Sequence, residues 1–335
     1  MTLTEMSSTL AKQHTMEVIN EPPQDVWETV VRRCEHATFF HTPTWVNILE
    51  KTYPQYRNAT LEFIFPTGSK ALFPLVAEHS PGILFKKRIK HKSMPLGVYG
   101  GIVAERGLTG KEHGEILAYI TSSEINDLKV VQNPLTPYPF PSSFESKPFF
   151  THIIQLDSDF AQVSQRFSRG QKSNIKQAQK KGVVIRSADS RNDYEQYYHL
   201  YQATLKRWGG RTGTTYPWNL FANLFEAHHP DIQLWLAEKE GIVIAGVIAF
   251  YCNNNILYWH GASLREYFDH YPNNLLHAEI IRDGCERGYK IYDLNPSGGH
   301  SGVIQFKKSF SAKQVDCTAY HWKKQTFHFL KRSLL

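Results

Sequence analysis

No run in this chain is apolar for the roughly 18 to 20 residues that a membrane-spanning helix requires. Met1 to Asn20 is polar and lacks the apolar centre of a signal peptide. The expectation is a soluble, cytoplasmic protein. Cysteine is sparse as well. Cys34, Cys252, Cys285 and Cys317 stand far apart without Cys-x-x-Cys spacing, which argues against a zinc knuckle or a disulfide framework and for buried free thiols. The chain has 16 histidines, yet His228, His229, His260, His270 and His277 show no zincin-type helical spacing. No metal and no bound cofactor is expected. Acidic residues are the minority charge, with 31 Asp and Glu against 38 Lys and Arg, a net charge of +7. That balance favours anionic partners, whether nucleic acid, phosphate-bearing substrates or an acidic membrane surface, without choosing among them.

At 335 residues the chain exceeds the usual single-domain size, and 41% apolar content is ample for packed cores. Residues 1–20 read as an irregular leader, 21–140 as one mixed α/β domain and 141–335 as a second. The proline-rich stretch Asn133 to Pro148 reads as their connection. In the first domain, periodicity predicts a helix over Gln24–Arg33, and Thr42 caps a second helix with Pro43 behind it. Strands are predicted at 59–65, 71–78 and 128–132, and a helix at 111–122. In the second domain a strand at 152–156 precedes a helix over 160–181 that Gly182 closes. Asn192, with Glu195 three residues on, is expected to cap a long helix faced with Tyr194, Tyr197, Tyr198 and Tyr201. Strands at 232–238, 242–251 and 256–261 form a meander. Asn273 caps a helix to Arg287, then come a strand at 290–294 and a last strand at 312–322.

The stretch Tyr292 to Gly299 and the run Ile304 to Ser311 carry the most information about function. Phe306 and Phe310 stand one helical turn apart, so their rings can anchor a segment from which Lys307 faces a cleft. A held lysine suits a negatively charged ligand, although the same spacing describes an amphipathic surface turn. On either view Lys307 is expected to be an exposed cation, so that Lys307→Ala changes stability by under about 0.5 kcal/mol, and only on the first does it cost on the order of 100-fold or more in turnover. Asp293 ends its strand at the rim where open α/β sheets place ligands; it either orients an acceptor amine or caps the turn. Arg169, Lys172, Lys176 and Lys180 share one helical stripe that either grips phosphates or is a solvated face. Arg207 and Arg211 flank Trp208-Gly209-Gly210, where a guanidinium can clamp a diphosphate or serve structure. The basic loop Lys86 to Lys92 and the basic, aromatic tail after Trp322 are further candidates for anionic or lipid contact.

The second half resembles the Fem family (FemABX), acyltransferases with two GNAT-like domains that pass an amino acid from aminoacyl-tRNA to the peptide of a cell-wall precursor. The resemblance covers about 160 residues and rests on four features of this sequence. They are Arg169 to Lys181 followed by Gly182-Val183-Val184-Ile185; Thr204-Leu205-Lys206-Arg207; Tyr258-Trp259-His260-Gly261-Ala262 followed by Tyr271-Pro272-Asn273-Asn274-Leu275-Leu276; and Gly288 to Asp293 followed by Phe306-Lys307-x-x-Phe310. It implies two tandem GNAT-like domains, the N-terminal one degenerate. It also implies that Lys307 serves the transfer step and that Tyr258, His260, Asn273 and Asn274 belong to the substrate-binding set. The family places glycine after the second phenylalanine, where this chain has Ser311. A standard acetyl-CoA cradle is not expected, because Pro272 removes an amide donor where the GNAT pyrophosphate loop would stand. The long helical arm of some Fem proteins has no counterpart, which leaves tRNA use open.

The expected function is therefore transfer of an aminoacyl or acyl group to an amine on a phosphate-bearing cell-wall or envelope precursor. Aminoacyl-tRNA is the expected donor and acts as a co-substrate. The alternatives are an acyl-CoA-dependent N-acyltransferase of the same fold and a non-catalytic binder of RNA or anionic glycan. A lipid-linked acceptor, peripheral contact with the inner membrane face and a monomeric state complete the expectation.

Overall fold

The structure, a computed structural model, describes residues 15–81, 88–96, 99–209 and 214–324. Arg211, the tail beyond residue 324 and part of the basic 86–92 loop lie outside the described residues. The first half contributes strands β1 (Glu17–Asn20), β2 (Tyr56–Asn58), β3 (Leu61–Ile64), β4 (Lys70–Phe73), β5 (Val76–Ser80), β6 (Arg88–Ser93), β7 (Val103–Ala104) and β8 (Asp127–Val131). The second adds β9 (Glu145–Gln155), β10 (Val184–Ser187), β11 (Ile232–Lys239), β12 (Ile242–Cys252), β13 (Asn255–Ser263), β14 (Ile291–Asp293) and β15 (Lys313–Lys323). The helices are α1 (Gln24–Arg33), α2 (Pro43–Thr52), α3 (Gly110–Ser122), α4 (Phe160–Gln165), α5 (Arg169–Lys180), α6 (Arg191–Trp208), α7 (Trp218–Glu226), α8 (Pro272–Glu286) and α9 (Ser301–Ser309).

Local chemistry sets most of these boundaries. Thr42 opens α2 as expected: its hydroxyl accepts from Trp45 N, and Pro43 sits at the first helical position, where a missing N–H costs nothing. Gly182 follows α5 in the left-handed conformation at φ 76, the anticipated helix stop. Five expectations change. The long helix α6 is capped by Ser190 rather than Asn192. Ser190 and Asp193 exchange hydrogen bonds in a capping box, and Arg186, 2.5 Å from Asp193, fixes that choice. The expected helix 160–181 breaks between α4 and α5, because Ser168 caps Gln171 N while its own N–H donates to Ser309 O at the end of α9. Helix α8 is opened by Tyr271 at φ 54 ahead of Pro272, not by Asn273. Residues 17–20 of the expected leader form β1, paired with β3. Strand β9 starts at Glu145, inside the expected connection.

Among the described residues the strands form a four-stranded sheet, β1-β3-β4-β7, and an eleven-stranded sheet, β10-β11-β12-β13-β14-β9-β15-β8-β6-β5-β2. Strand β15 lies between β9 and β8 and so joins strands of the two halves. The largest core crosses the same divide. Phe39 stacks on Phe250 at 4.7 Å, and Trp45 meets Trp259 edge-on at 5.8 Å, which packs the Phe39–His41 turn and α2 against β12 and β13. All four cysteines are buried free thiols. The fold is mixed α/β.

Candidate active site

The site arises where two neighbouring strands part. Strands β13 and β14 run parallel and pair only at Asn255–Ile291, Ile256–Tyr292 and Leu257–Asp293. Beyond that point β13 bulges: Ile248 faces His260 and Ala249 faces Tyr258, so Trp259 has no direct partner. On the other side β14 ends, and Asn295 turns the chain away at φ 61. The gap is a cleft of about 1120 Å³. One wall is Tyr258 to Gly261, another is Asn295 to Ser297 with α9, and the third holds Tyr201, Arg207, Trp208 and Tyr216. A crevice at the carboxyl ends of parted parallel strands is the usual ligand position of open α/β sheets.

Lys307 lies on the floor of this cleft and is not the exposed cation that the sequence suggests. It is 3% exposed. Its side chain runs back along α9, as helical side chains do, and the ammonium donates to the Asn295 carbonyl. Burial lowers its pKa to about 8, and the nearby Asp293 offsets part of that effect. The anchoring rings behave as expected. Phe306 and Phe310 meet edge-on at 5.3 Å, and His277 packs against both while sharing a 2.7 Å hydrogen bond with Tyr292 Oη. Ser311, where the family places glycine, adopts φ 64, the left-handed conformation for which glycine is the natural choice.

Asp293 sits beneath the cleft rather than in its lining. Its Oδ1 accepts from Thr151 Oγ1 at 2.5 Å and from Asn295 N at 2.8 Å, the arrangement of a turn cap. Burial raises its pKa, and these bonds, with Tyr99 and Lys307, oppose the rise.

Tyr258 and His260 both reach the cleft. Burial pushes the Tyr258 pKa to about 12, so it presents a neutral hydroxyl. A Cβ on Gly261 would stand 2.6 Å from that hydroxyl, which explains the glycine. His260 is held through Nδ1 by Tyr197 Oη at 2.6 Å, and burial lowers its pKa to about 3, leaving it neutral. Tyr197 is fully buried, and His260 is the one side-chain partner of its hydroxyl among the described residues. Tyr197 therefore donates, which places the imidazole proton on Nε2. Arg207 lines the cleft while donating to Ser263 O at 2.9 Å and covering Phe268.

The remaining sequence candidates lie elsewhere. Arg169, Lys172, Lys176 and Lys180 are exposed on α5 and do not line the cleft; Lys172 Nζ donates to Gln165 O at 2.7 Å. Asn273 donates to Ser263 Oγ and Asn274 to Gln171 Oε1, internal contacts that tie α8 to β13 and α5. Sequence reasoning missed Ser297, Tyr216 and Trp208 as lining residues. It read Tyr201 only as helix packing, because nothing local shows which side of that helix meets a gap. Among the described residues no group of three or more His, Cys, Asp and Glu side chains is placed to hold a metal.

Comparison with known proteins agrees with this geometry. The family model for an acetyltransferase (GNAT) domain matches residues 165–308, the segment that carries β13, β14 and α9. A lipid II:glycine glycyltransferase of Staphylococcus epidermidis is 24% identical over 110 residues, 30% of this chain and 26% of that protein. The chain thus matches about a quarter of the length of these curated relatives. The crystal structure of FemX superposes with a TM-score of 0.67 at 14% identity, covering 90% of this chain and 96% of that one. The structure of L-PGS from Bacillus licheniformis gives 0.55 at 11% identity, covering 93% and 95%. The chain shares its fold with FemX, and its residues 165–308 resemble a GNAT acetyltransferase domain.

Proposed function

We propose that the cleft is the site of an acyl transfer that forms an amide bond. The acceptor is an amine on a phosphate-bearing, lipid-linked cell-wall or envelope precursor, and the donor is an aminoacyl-tRNA. The observation that carries this reading is Lys307, a buried ammonium facing a cleft between parted strands with one carbonyl to satisfy it among the described residues. The attacking amine must be neutral. As its N–C bond forms, charge collects on the carbonyl oxygen, and the N–H groups of Lys307 not given to Asn295 pair with that oxyanion. Collapse breaks the ester C–O bond. The amine's proton ends on the departing hydroxyl, beside the neutral Tyr258.

The donor assignment is supported at α8. Pro272 lacks an N–H, and Asn274 N already donates to Tyr271 O at 3.1 Å, so that helix start has little to offer the pyrophosphate of coenzyme A. The exposed α5 cations offer a surface for an RNA backbone. No described helix is long and apolar enough to cross a membrane; a lipid-linked acceptor would be met at the inner membrane face by peripheral contact.

The test offers labelled aminoacyl-tRNA and acyl-CoA side by side with an amine-bearing precursor. Product is expected from aminoacyl-tRNA. Turnover with acyl-CoA alone would remove the RNA donor from this reading, and no amide from either would remove the transfer itself.

A further inference from the structure

The turn between β14 and α9 leaves several polar groups without protein partners. No side chain caps α9. The first hydrogen bond across its start is Ile304 N to His300 O, so the N–H groups of Ser301, Gly302 and Val303 have no protein acceptor among the described residues. Ser297 is 7% exposed and Asn295 8%, yet the Ser297 hydroxyl and the Asn295 side-chain Oδ1 are buried without a hydrogen bond to any described residue. Buried polar atoms are ordinarily satisfied, and several gathered in one turn indicate a ligand position.

The shape of the turn delivers these groups to the cleft. Gly298 and Gly299 take left-handed conformations at φ 57 and 81, which fold His300 N back onto Ser297 O at 3.1 Å. The start of α9 then enters the cleft, where His300, Gly302 and Val303 share the lining with Asn295 and Ser297. The local field is positive. Amides at a helix start carry the positive end of the dipole, and the Lys307 ammonium reaches the other side of the turn at Asn295 O. No Asp or Glu stands among the described lining residues. Asp293, beneath the turn, is occupied by Thr151 and Asn295 N.

We propose that the Asn295–Val303 turn is a phosphate subsite, in which the α9 amides and the Ser297 hydroxyl receive the oxygens of a phosphate group carried by one of the two substrates. The identity of those substrates rests on the transferase reading above. The binding of phosphate does not. Helix starts with free amides and a neighbouring hydroxyl suit this chemistry.

Inorganic pyrophosphate is the probe, titrated into the full chain at fixed ionic strength with tryptophan fluorescence as the signal, since Trp208 and Trp259 line the cleft. Wild type should bind saturably and more weakly as chloride rises. Ser297→Ala should weaken binding about tenfold, the worth of one hydrogen bond to a charged group. Ser297→Asp, which sets a carboxylate where the phosphate would sit, should abolish it; circular dichroism confirms that both variants fold. Equal affinity in all three proteins, or none in wild type, overturns the subsite. Competition by a CCA-ended RNA hairpin assigns the phosphate to the donor, and competition by a nucleoside diphosphate assigns it to the acceptor. The probe carries neither an acyl group nor an amine, so a wild-type protein that transfers but binds no pyrophosphate refutes the subsite alone. Intact binding with no transfer refutes only the reaction.

Discussion

Replacing Lys307 with methionine should make the protein more stable and less active at the same time. The lysine's pKa is about 8 in the folded chain against an ordinary 10.5. Between those values the unfolded chain still holds a proton that the folded chain has released, so wild-type stability climbs with pH through that window. Below it, the native state bears the full cost of a buried ammonium, which the two pKa values put at about 3 kcal/mol. The hydrogen bond to Asn295 O offsets about 1 kcal/mol of this. Methionine has similar length and flexibility and leaves no cavity of note, whereas alanine would open one. Lys307→Met should therefore gain about 1–2 kcal/mol at pH 7, a gain that shrinks or reverses by about pH 10. Transfer should fall on the order of 100-fold or more with the loss of oxyanion stabilisation. Urea unfolding of both proteins at the two pH values, followed by tryptophan fluorescence, supplies the comparison, and titrating groups remote from Lys307 cancel between them. A variant less stable at pH 7, with a deficit that pH does not alter, would show that the ammonium is not the burden described. Unchanged turnover would remove Lys307 from the reaction.

Three further outcomes are expected. Gly261→Ala sets a methyl group 2.6 Å from Tyr258 Oη, so it should cost about 1–3 kcal/mol by overpacking and impair transfer beyond that loss; a variant with wild-type Tm and turnover contradicts the stated reason for this glycine. Tyr197→Phe strands His260 Nδ1 in a buried site and should cost about 1–3 kcal/mol in urea unfolding, with no change traceable to histidine charging above pH 5 because His260 titrates near 3. Asp193→Asn removes one of the two carboxylate partners of Arg186, leaving Glu238, and half of the α6 capping box. Burial alone would raise the Asp193 pKa, but Arg186 and the Asp189 and Ser190 groups hold it below the ordinary 3.8. Its contribution is therefore present above that value and is lost as pH falls through the folded pKa. The variant should be about 1–3 kcal/mol less stable at pH 7, given that Arg186 is partly exposed, and the gap should close in acid.

The sequence made parts of this site legible because their causes are local. Phe306 and Phe310 are one helical turn apart, and any helix brings such rings together. Thr42-Pro43 carries its own cap chemistry. What escaped was set by distant partners. Lys307 looked exposed because its burial depends on where β13 parts from β14 and on the backward turn at Asn295, neither of which the residues around Lys307 encode. Asn192 was the expected cap, but Ser190 takes that place, because Asp193, held by Arg186 from a neighbouring strand, closes the capping box with it. Asn273 and Asn274 stood in the right motif, but Ser263 and Gln171, remote in sequence, engage their side chains. The joining of strands from both halves into one sheet likewise depends on pairings that no local pattern reveals.

The position of β15 sets an order of assembly. Its neighbours β8 and β9 precede it in the chain and do not pair with each other; each waits with an open edge until residues 313–323 arrive between them. A ribosome delivers those residues last among the described strands, after the Phe39–Phe250 and Trp45–Trp259 contacts between the halves are already available, so the closing of the large sheet comes last. The segment just before β15 is α9, with Lys307 on it. A nascent or clipped chain lacking this strand would present two unpaired edges, prone to join other chains.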